Sequence, residues 1–203
     1  MIKTTNKGFD KVHDSQQIFR NLVEAFSRPG KTVNILPYCN SINPPQGFSA
    51  IMTGLAFTLV DREVTFSVLH DHADGVEQYI HWQTFCNQTA PKDADYIFVD
   101  QYMDENAIDK LMDEVKIGTL THPHQSATLF LKINEFDQKE SEQVTLSGPG
   151  INGEKSCNIG LCEKWITTRN ELTAEYPLGI DLCLVNENGD LLALPRTTKI
   201  QGG

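Results

Sequence analysis

No stretch of the chain approaches the roughly 18 consecutive apolar residues that a membrane-spanning helix needs. The most apolar run, residues 50–60, stops at Asp61-Arg62, and the shorter one at 126–133 already contains Lys132. The N-terminal stretch MIKTTNKGFDKVHDSQ lacks the apolar core and small-residue cleavage site of a secretory signal. These two absences predict a cytoplasmic protein with no membrane partner. Positive charge is scarce as well: 17 basic against 27 acidic residues leave a net charge of -10. That balance excludes a generic nucleic-acid binder, which needs a basic face along the phosphate backbone. A small anion held by one or two arginines stays compatible with it. The five cysteines, Cys39, Cys86, Cys157, Cys162 and Cys183, are odd in number and widely spaced. They predict no disulfide framework. Cys157 and Cys162 form the one close pair, so a closed zinc or iron–sulfur site would need ligands from elsewhere.

What is present is 203 residues, 39% hydrophobic and 22% charged, enough to bury a sizeable core. No composition break marks a linker, so a single domain over 1–203 is expected. Asp14 with Gln17 has the spacing of a capping box. Ile18, Leu22 and Phe26, flanked by Phe19 and Val23, then give a broad apolar helix face up to Ser27-Arg28-Pro29-Gly30. A short strand is expected in 31–36 and a proline-rich loop in 37–49. Residues 50–60 are ambiguous between helix and strand. Val64, Phe66 and Val68 alternate with Thr65 and Ser67 as in a strand. Asp74 and Glu77 resemble a second capping box, opening a helix to about Cys86. A strand at 94–99 and a helix from Asp104 to Gly118 complete the order strand, helix, strand, helix. That order predicts a mostly parallel sheet with helices on its faces. Further strands are expected at 126–133 and 143–146, a helix in 159–172, and a terminal hairpin turning at Asn188-Gly189.

Four groups of residues suggest chemistry. His70-Asp71-His72 with Asp74 packs four potential metal ligands into five residues, and His122-Pro123-His124 adds a second His-x-His. On a strand, His70 and His72 would share a face, as a metal-dependent hydrolase would need. No third ligand is specified, and a polar loop leading to a cap at Asp74 is the simpler account. Ser147-Gly148-Pro149-Gly150-Ile151-Asn152-Gly153 follows a strand and offers backbone N–H groups to an anion. It has neither the dinucleotide nor the phosphate-loop spacing, and Pro149 removes one donor. Arg196, followed by Thr197 and Thr198, could grip a phosphate, a phosphonate or a partner's carboxylate, as could Arg20 and Arg28. No cysteine has a context that lowers its pKa. No G-x-S-x-G elbow is present, and no lysine stands out as an anchor for pyridoxal phosphate. No cofactor is therefore expected.

Several blocks resemble one known family. They are Val12-His13-Asp14-Ser15-Gln16-Gln17-Ile18-Phe19-Arg20, Ala25-Phe26-Ser27-Arg28-Pro29-Gly30, Leu59-Val60-Asp61, and Gly118-Thr119-Leu120 with Pro123. Further on come Ser126-Ala127-Thr128-Leu129, Leu146-Ser147-Gly148-Pro149-Gly150-Ile151, Pro177-Leu178-Gly179-Ile180-Asp181-Leu182 and Leu194-Pro195-Arg196-Thr197-Thr198. In this order, from about residue 9 to 200, they are similar to PhnH, a subunit family of the bacterial carbon–phosphorus lyase system. Each block is modest alone, and together they are highly specific. Lys11 stands where many relatives have proline, Phe26 replaces a common methionine, and Gln201-Gly202-Gly203 is a short terminal extension.

The resemblance implies a three-layer α/β/α fold with a mixed sheet, like the large domain of pyridoxal-phosphate-dependent transferases but without their cofactor site. It implies a homodimer in isolation and a core complex with PhnG, PhnI and PhnJ. That complex makes alpha-D-ribose 1-methylphosphonate 5-triphosphate from methylphosphonate and ATP; PhnI displaces adenine, and a radical iron–sulfur activity of PhnJ later breaks the C–P bond. The expected role is a non-catalytic or accessory subunit, with Arg28, Asp61, Arg196, Thr197, Gly148 and Gly150 as ligand or interface candidates. The alternatives are a stand-alone metal-dependent hydrolase using His70, His72 and Asp74, and a small-anion module using Arg28, Arg196 and the 147–153 turn.

Overall fold

The computed structural model describes residues 8–136 and 143–202. The first seven residues of the stretch read for a targeting signal, and Gly203 of the terminal extension, lie outside the described residues. Ten strands and six α-helices are described: α1 (His13–Ser27), β1 (Val33–Asn34), α2 (Leu36–Cys39), α3 (Ala50–Leu59), β2 (Thr65–Leu69), α4 (Ala73–Thr84), β3 (Asn87–Gln88), β4 (Tyr96–Val99), α5 (Glu105–Glu114), β5 (Thr128–Lys132), β6 (Gln143–Ser147), β7 (Glu154–Asn158), α6 (Glu163–Leu172), β8 (Asp181–Val185), β9 (Asp190–Leu194) and β10 (Lys199–Gly202).

Seven strands form the central sheet in the order β1-β9-β8-β5-β4-β2-β3. The run β8-β5-β4-β2-β3 is parallel, while β9 is antiparallel to β8 and β1 to β9. A parallel sheet covered on both faces needs apolar residues at successive strand positions, and Tyr96–Val99 and Thr128–Lys132 supply them. Period-two geometry then divides each strand between two cores. Phe66, Val68, Phe98, Phe130, Cys183 and Val185 face α1, α2, α3 and α4. Ile97, Val99, Leu129, Leu131, Leu182 and Leu184 face α5, α6 and a three-stranded antiparallel sheet, β10-β6-β7. The Phe98 and Phe130 rings stack across adjacent strands at 5.2 Å. Helices thus flank a mixed central sheet, and a small second sheet shares one of the flanking layers.

Several local expectations change. Asp14 does not cap α1. The Asp10 carboxylate accepts the N–H of Val12 and of His13, both at 3.0 Å, while Asp14 accepts the Asp10 N–H at 2.8 Å. The reciprocal pair is therefore Asp10 with Asp14, four residues upstream of the expected one. The apolar face of α1 is narrower than its pattern: Ile18, Leu22 and Ala25 are buried, but Phe19 and Val23 are about half exposed. Residues 31–36 yield two strand residues, and the expected loop at 37–49 contains the end of α2. Residues 50–60 resolve as helix, with the Ser49 hydroxyl capping Ile51 N at 3.1 Å. Asp74 caps nothing; α4 starts after His72, and Glu77 accepts the Val68 N–H at 3.2 Å. Asp104 does cap α5, accepting from Ala107 N at 2.8 Å. Lys11, the departure from the family pattern, donates to the Gln83 carbonyl at 2.7 Å, where the end of α4 leaves acceptors unsatisfied.

At the opposite end of the sheet from the carboxyl-terminal strand ends, Asp95 accepts from Lys116 Nζ at 2.5 Å and from the Thr65 N–H and hydroxyl at 2.7 and 2.8 Å. Burial pushes the Asp95 carboxyl up, but Lys116 and Thr65 together outweigh it and hold the group below its ordinary value. A folded pKa below the unfolded one stabilises the fold above the ordinary aspartate range, and that contribution is lost as pH falls through the folded value. Asp95→Asn is therefore expected to flatten the acid limb of a stability-versus-pH curve. The loss at neutral pH is no more than about 1 kcal/mol, because the pair is solvent-screened. Urea titrations at pH 3, 4 and 7 check this; an unchanged acid limb would refute it.

Candidate functional site

In open α/β sheets, ligands bind outside the carboxyl ends of the parallel strands. Here that edge carries Asp100 after β4, Lys132 closing β5, and Glu187 after β8. The Asp100 side chain is 2% exposed and Lys132 is mostly buried; their ion pair is 2.8 Å, and Lys132 reaches Glu187 at 2.9 Å. The second Asp100 oxygen accepts the Ser49 N–H at 2.8 Å, which ties the start of α3 to the strand end. Beside this network lies an open groove of about 380 Å³, lined further by Gln101, Tyr102, Met103, Asn134, Cys162 and Trp165.

The network constrains the chemistry. Burial alone would lower the Lys132 pKa, but the hydrogen bonds to Asp100 and Glu187 outweigh it and raise the value. Lys132 is thus an ammonium at neutral pH, whereas an amine nucleophile needs a lowered pKa. Four cysteines are held as thiols by burial. Burial raises Cys39 to about 12 and Cys86 to about 11, and pushes Cys157 and Cys183 upward.

His70 and His72 lie side by side with ring centres 5.7 Å apart. Both His70 nitrogens are engaged: Nε2 with the Gly47 carbonyl at 3.2 Å, and Nδ1 as acceptor from the His72 N–H at 3.0 Å. Asp74 instead lines a groove along α4 with Gln78 and Trp82. Among the described residues no three His, Cys, Asp or Glu side chains gather where they could hold a metal ion. At His122-Pro123-His124, the His122 ring meets Thr121 Oγ1 at 2.9 Å in a tight turn.

The glycine-rich turn sits between two other motif blocks. Gly150 has φ +82°, and a Cβ there would lie 2.2 Å from the Ser27 carbonyl oxygen. Gly148 has φ +131°, and a Cβ there would lie 2.8 Å from the Thr197 oxygen. Close backbone approach on both sides accounts for both glycines. Arg28 and Gly150 share a depression of about 340 Å³ with Lys31 and Lys155. Glu24 already pairs with Arg28 at 3.1 Å and with Lys31 at 2.6 Å.

Arg196 is elsewhere. Its backbone N–H and Nε donate to Asp181 Oδ1 at 2.7 and 3.3 Å, Nη2 to Oδ2 at 2.6 Å, and Nη1 to the Pro123 carbonyl at 2.6 Å. One guanidinium therefore joins the blocks around Pro123, Asp181 and Arg196. Thr197 is partly buried behind Gly148. Asp61 lies apart in the connection from α3 to β2, accepting the Glu63 N–H at 2.9 Å. The structure brings together Arg28 with Gly150, and Gly148 with Thr197, but turns the Arg196 side chain toward Asp181 and Pro123 and leaves Asp61 apart.

Asp100, Lys132 and Glu187 carry no motif and were not among the sequence candidates. Their one signal is position, immediately at the ends of the apolar strand runs.

A sequence profile described as bacterial phosphonate metabolism protein (PhnH) matches residues 7–201. The chain is 28% identical over 187 residues to a putative C-P lyase subunit protein HtxG from Stutzerimonas stutzeri, covering 91% of this chain and 85% of that protein. It is 26% identical over 194 residues to the alpha-D-ribose 1-methylphosphonate 5-triphosphate synthase subunit PhnH from Rhizobium meliloti (strain 1021), covering 95% and 92% respectively.

Proposed function

We infer that this chain, which belongs to the PhnH family of bacterial phosphonate metabolism proteins, is an accessory subunit of a carbon–phosphorus lyase core complex. It assembles with PhnG-, PhnI- and PhnJ-like subunits in the cytoplasm and supports formation of alpha-D-ribose 1-methylphosphonate 5-triphosphate from methylphosphonate and ATP. Its 203 residues act as one domain of the kind found in the large domain of pyridoxal-phosphate-dependent transferases, without the cofactor, and it pairs with itself when isolated. The observation that carries this reading is the family match along 7–201. The side chains support it: Lys132 is held as a cation between carboxylates, and Arg196 spends its donors on Asp181 and Pro123. The motif blocks thus serve the fold and the surface presented to partners.

Co-expression with the PhnG-, PhnI- and PhnJ-like subunits tests this. A stable complex that retains the chain through size exclusion, and loses triphosphate synthesis when the chain is omitted, is the expected result. Full synthesis without the chain would sink it.

A second reading is favoured by the depression where Arg28, Lys31 and Lys155 surround Gly150. Three cations against Glu154 and the paired Glu24 leave one positive charge in excess, which suits a small anion such as a phosphonate. Calorimetry with methylphosphonate and with ATP is expected to give heat that Lys155→Ala reduces at least fivefold. No heat from either ligand would remove this reading.

A further inference from the structure

The far edge of the central sheet has features that the folding of the chain alone does not require. Helix α4 ends at Phe85 in the left-handed conformation, with φ +60°. Glycine is the ordinary residue there, since a side chain costs conformational energy. The Phe85 ring stays 57% exposed, so burial does not compensate; the Arg62 guanidinium lies 4.7 Å above it. The turn is nevertheless firmly held: His81 Nδ1 contacts the Cys86 carbonyl at 2.7 Å, and Cys86 N donates to Thr84 Oγ1 at 3.1 Å.

This turn delivers the chain into β3, the terminal strand of the sheet. On its inner side Thr89 N donates to the Phe66 carbonyl at 2.8 Å. In a parallel ladder the intervening residue then points its N–H and C=O the other way. The backbone groups of Gln88 therefore face the outer edge, where no strand among the described residues pairs with them. Beside them lies a depression of about 420 Å³ lined by Asp74, Gly75, Gln78, His81, Trp82 and Gln88. Trp82 is 67% exposed. An exposed indole face, a carboxylate and two carboxamides form a set complementary to a planar cation: the ring attracts it, and Asp74 accepts its N–H groups.

We propose that the β3 edge and the Trp82–Asp74 groove form a docking surface for an extended segment of a partner protein, which adds a strand beside Gln88 and seats an arginine between Trp82 and Asp74. An unpaired strand edge supplies main-chain affinity, and the neighbouring pocket supplies selection. The arginine also fits the acidic balance of this chain. The proposal rests on the subunit reading above, because it takes the partner from the same assembly.

The test is co-purification and biosensor binding between the full chain and the co-expressed PhnG-, PhnI- and PhnJ-like subunits. Trp82→Ala is expected to weaken binding at least tenfold, as a buried aromatic anchor does. Asp74→Asn is expected to weaken it severalfold and to reduce its salt dependence. Gln88→Pro removes the outward N–H and is expected to weaken binding about tenfold, with each variant melting within a few degrees of wild type. Unchanged affinity in Trp82→Ala or in Gln88→Pro, while the wild type assembles, overturns this proposal alone. Failure of the wild type to assemble overturns the subunit reading and this proposal with it.

Discussion

Replacing Arg169 by leucine is expected to destabilise the fold by about 3–5 kcal/mol, since two hydrogen bonds from a charged donor are lost at about 1.5–3 kcal/mol each. For a chain of this size that is about 10 °C in melting temperature. Arg169 projects from α6 and is 1% exposed. Its Nη1 donates to the Thr198 carbonyl at 2.7 Å, and its Nη2 to the Pro195 carbonyl at 2.5 Å. Burial lowers its pKa to about 10, against the attraction of Asp181, so it remains charged at neutral pH. Leucine would leave the buried Thr198 carbonyl without its donor, at about 1–3 kcal/mol, while the Pro195 carbonyl would keep only the Thr198 N–H at 2.8 Å. The loss propagates, because the neighbouring Asn170 holds the Ile200 carbonyl at 2.8 Å and β10 pairs with β6. Those strands present Val144, Leu146 and Ile200 to the second core. Arg169→Lys keeps the charge but not the fork, and is expected to lose about half as much. Thermal unfolding of both variants checks this; a shift under 2 °C for Arg169→Leu would show that the 195–198 turn holds itself.

Elements with a strong local period were legible from sequence. Helix α5 has its cap at Asp104 and its stripe of Ile108, Leu111 and Met112, and the expected hairpin of β8 and β9 forms, with Glu187-Asn188 at the corner of its turn and Gly189 following at φ +78°. The alternating strand order from Val64 onward gave the parallel sheet its helical cover. Elements that depend on distant partners were not legible. Strand β7, Glu154–Asn158, is polar and rather exposed; it exists because β6 pairs with it. Strand β10 takes its place from β6 and from Asn170. The two helix starts differ from their box spacing for one reason: Asp10 lies nearer the first free N–H groups of α1 than Asp14, and Glu77 is drawn to the end of β2.

The same division holds for functional residues. In this chain the motif blocks carry close backbone approaches, Gly150 against Ser27 and Gly148 against Thr197, together with the Arg196–Asp181 fork. Such contacts mark a fold more than a reaction. The carboxyl-edge network was invisible because Asp100, Lys132 and Glu187 lie 32 and 55 residues apart in sequence, and the sheet order alone makes them neighbours. The sequence context of Trp82 does not distinguish core from surface. The exposed ring decides for the surface.

Lys132→Met is expected to cost about 3–5 kcal/mol, since it strips the cation from a buried carboxylate. Asp100 is 2% exposed and would keep only the Ser49 N–H among the partners it has now. Asp100→Asn is expected to cost less, about 1–3 kcal/mol. The amide oxygen can still accept from Ser49, and Lys132 retains Glu187 and a path to water. In the double variant neither a buried anion nor an unmatched ammonium remains. Its loss should therefore be smaller than the sum of the single losses by about 1–3 kcal/mol, the range found for residues in one network. Urea unfolding of the two single variants and the double at pH 7 measures this coupling directly. Strict additivity would mean that Asp100 and Lys132 stabilise the fold independently. The ammonium would then be free to face the groove and meet an anionic ligand there. Strong coupling instead fixes Lys132 as the counter-charge that lets β4 end in a carboxylate and anchor α3. The groove beside it would then owe its selectivity to Tyr102, Asn134 and Trp165 rather than to the lysine.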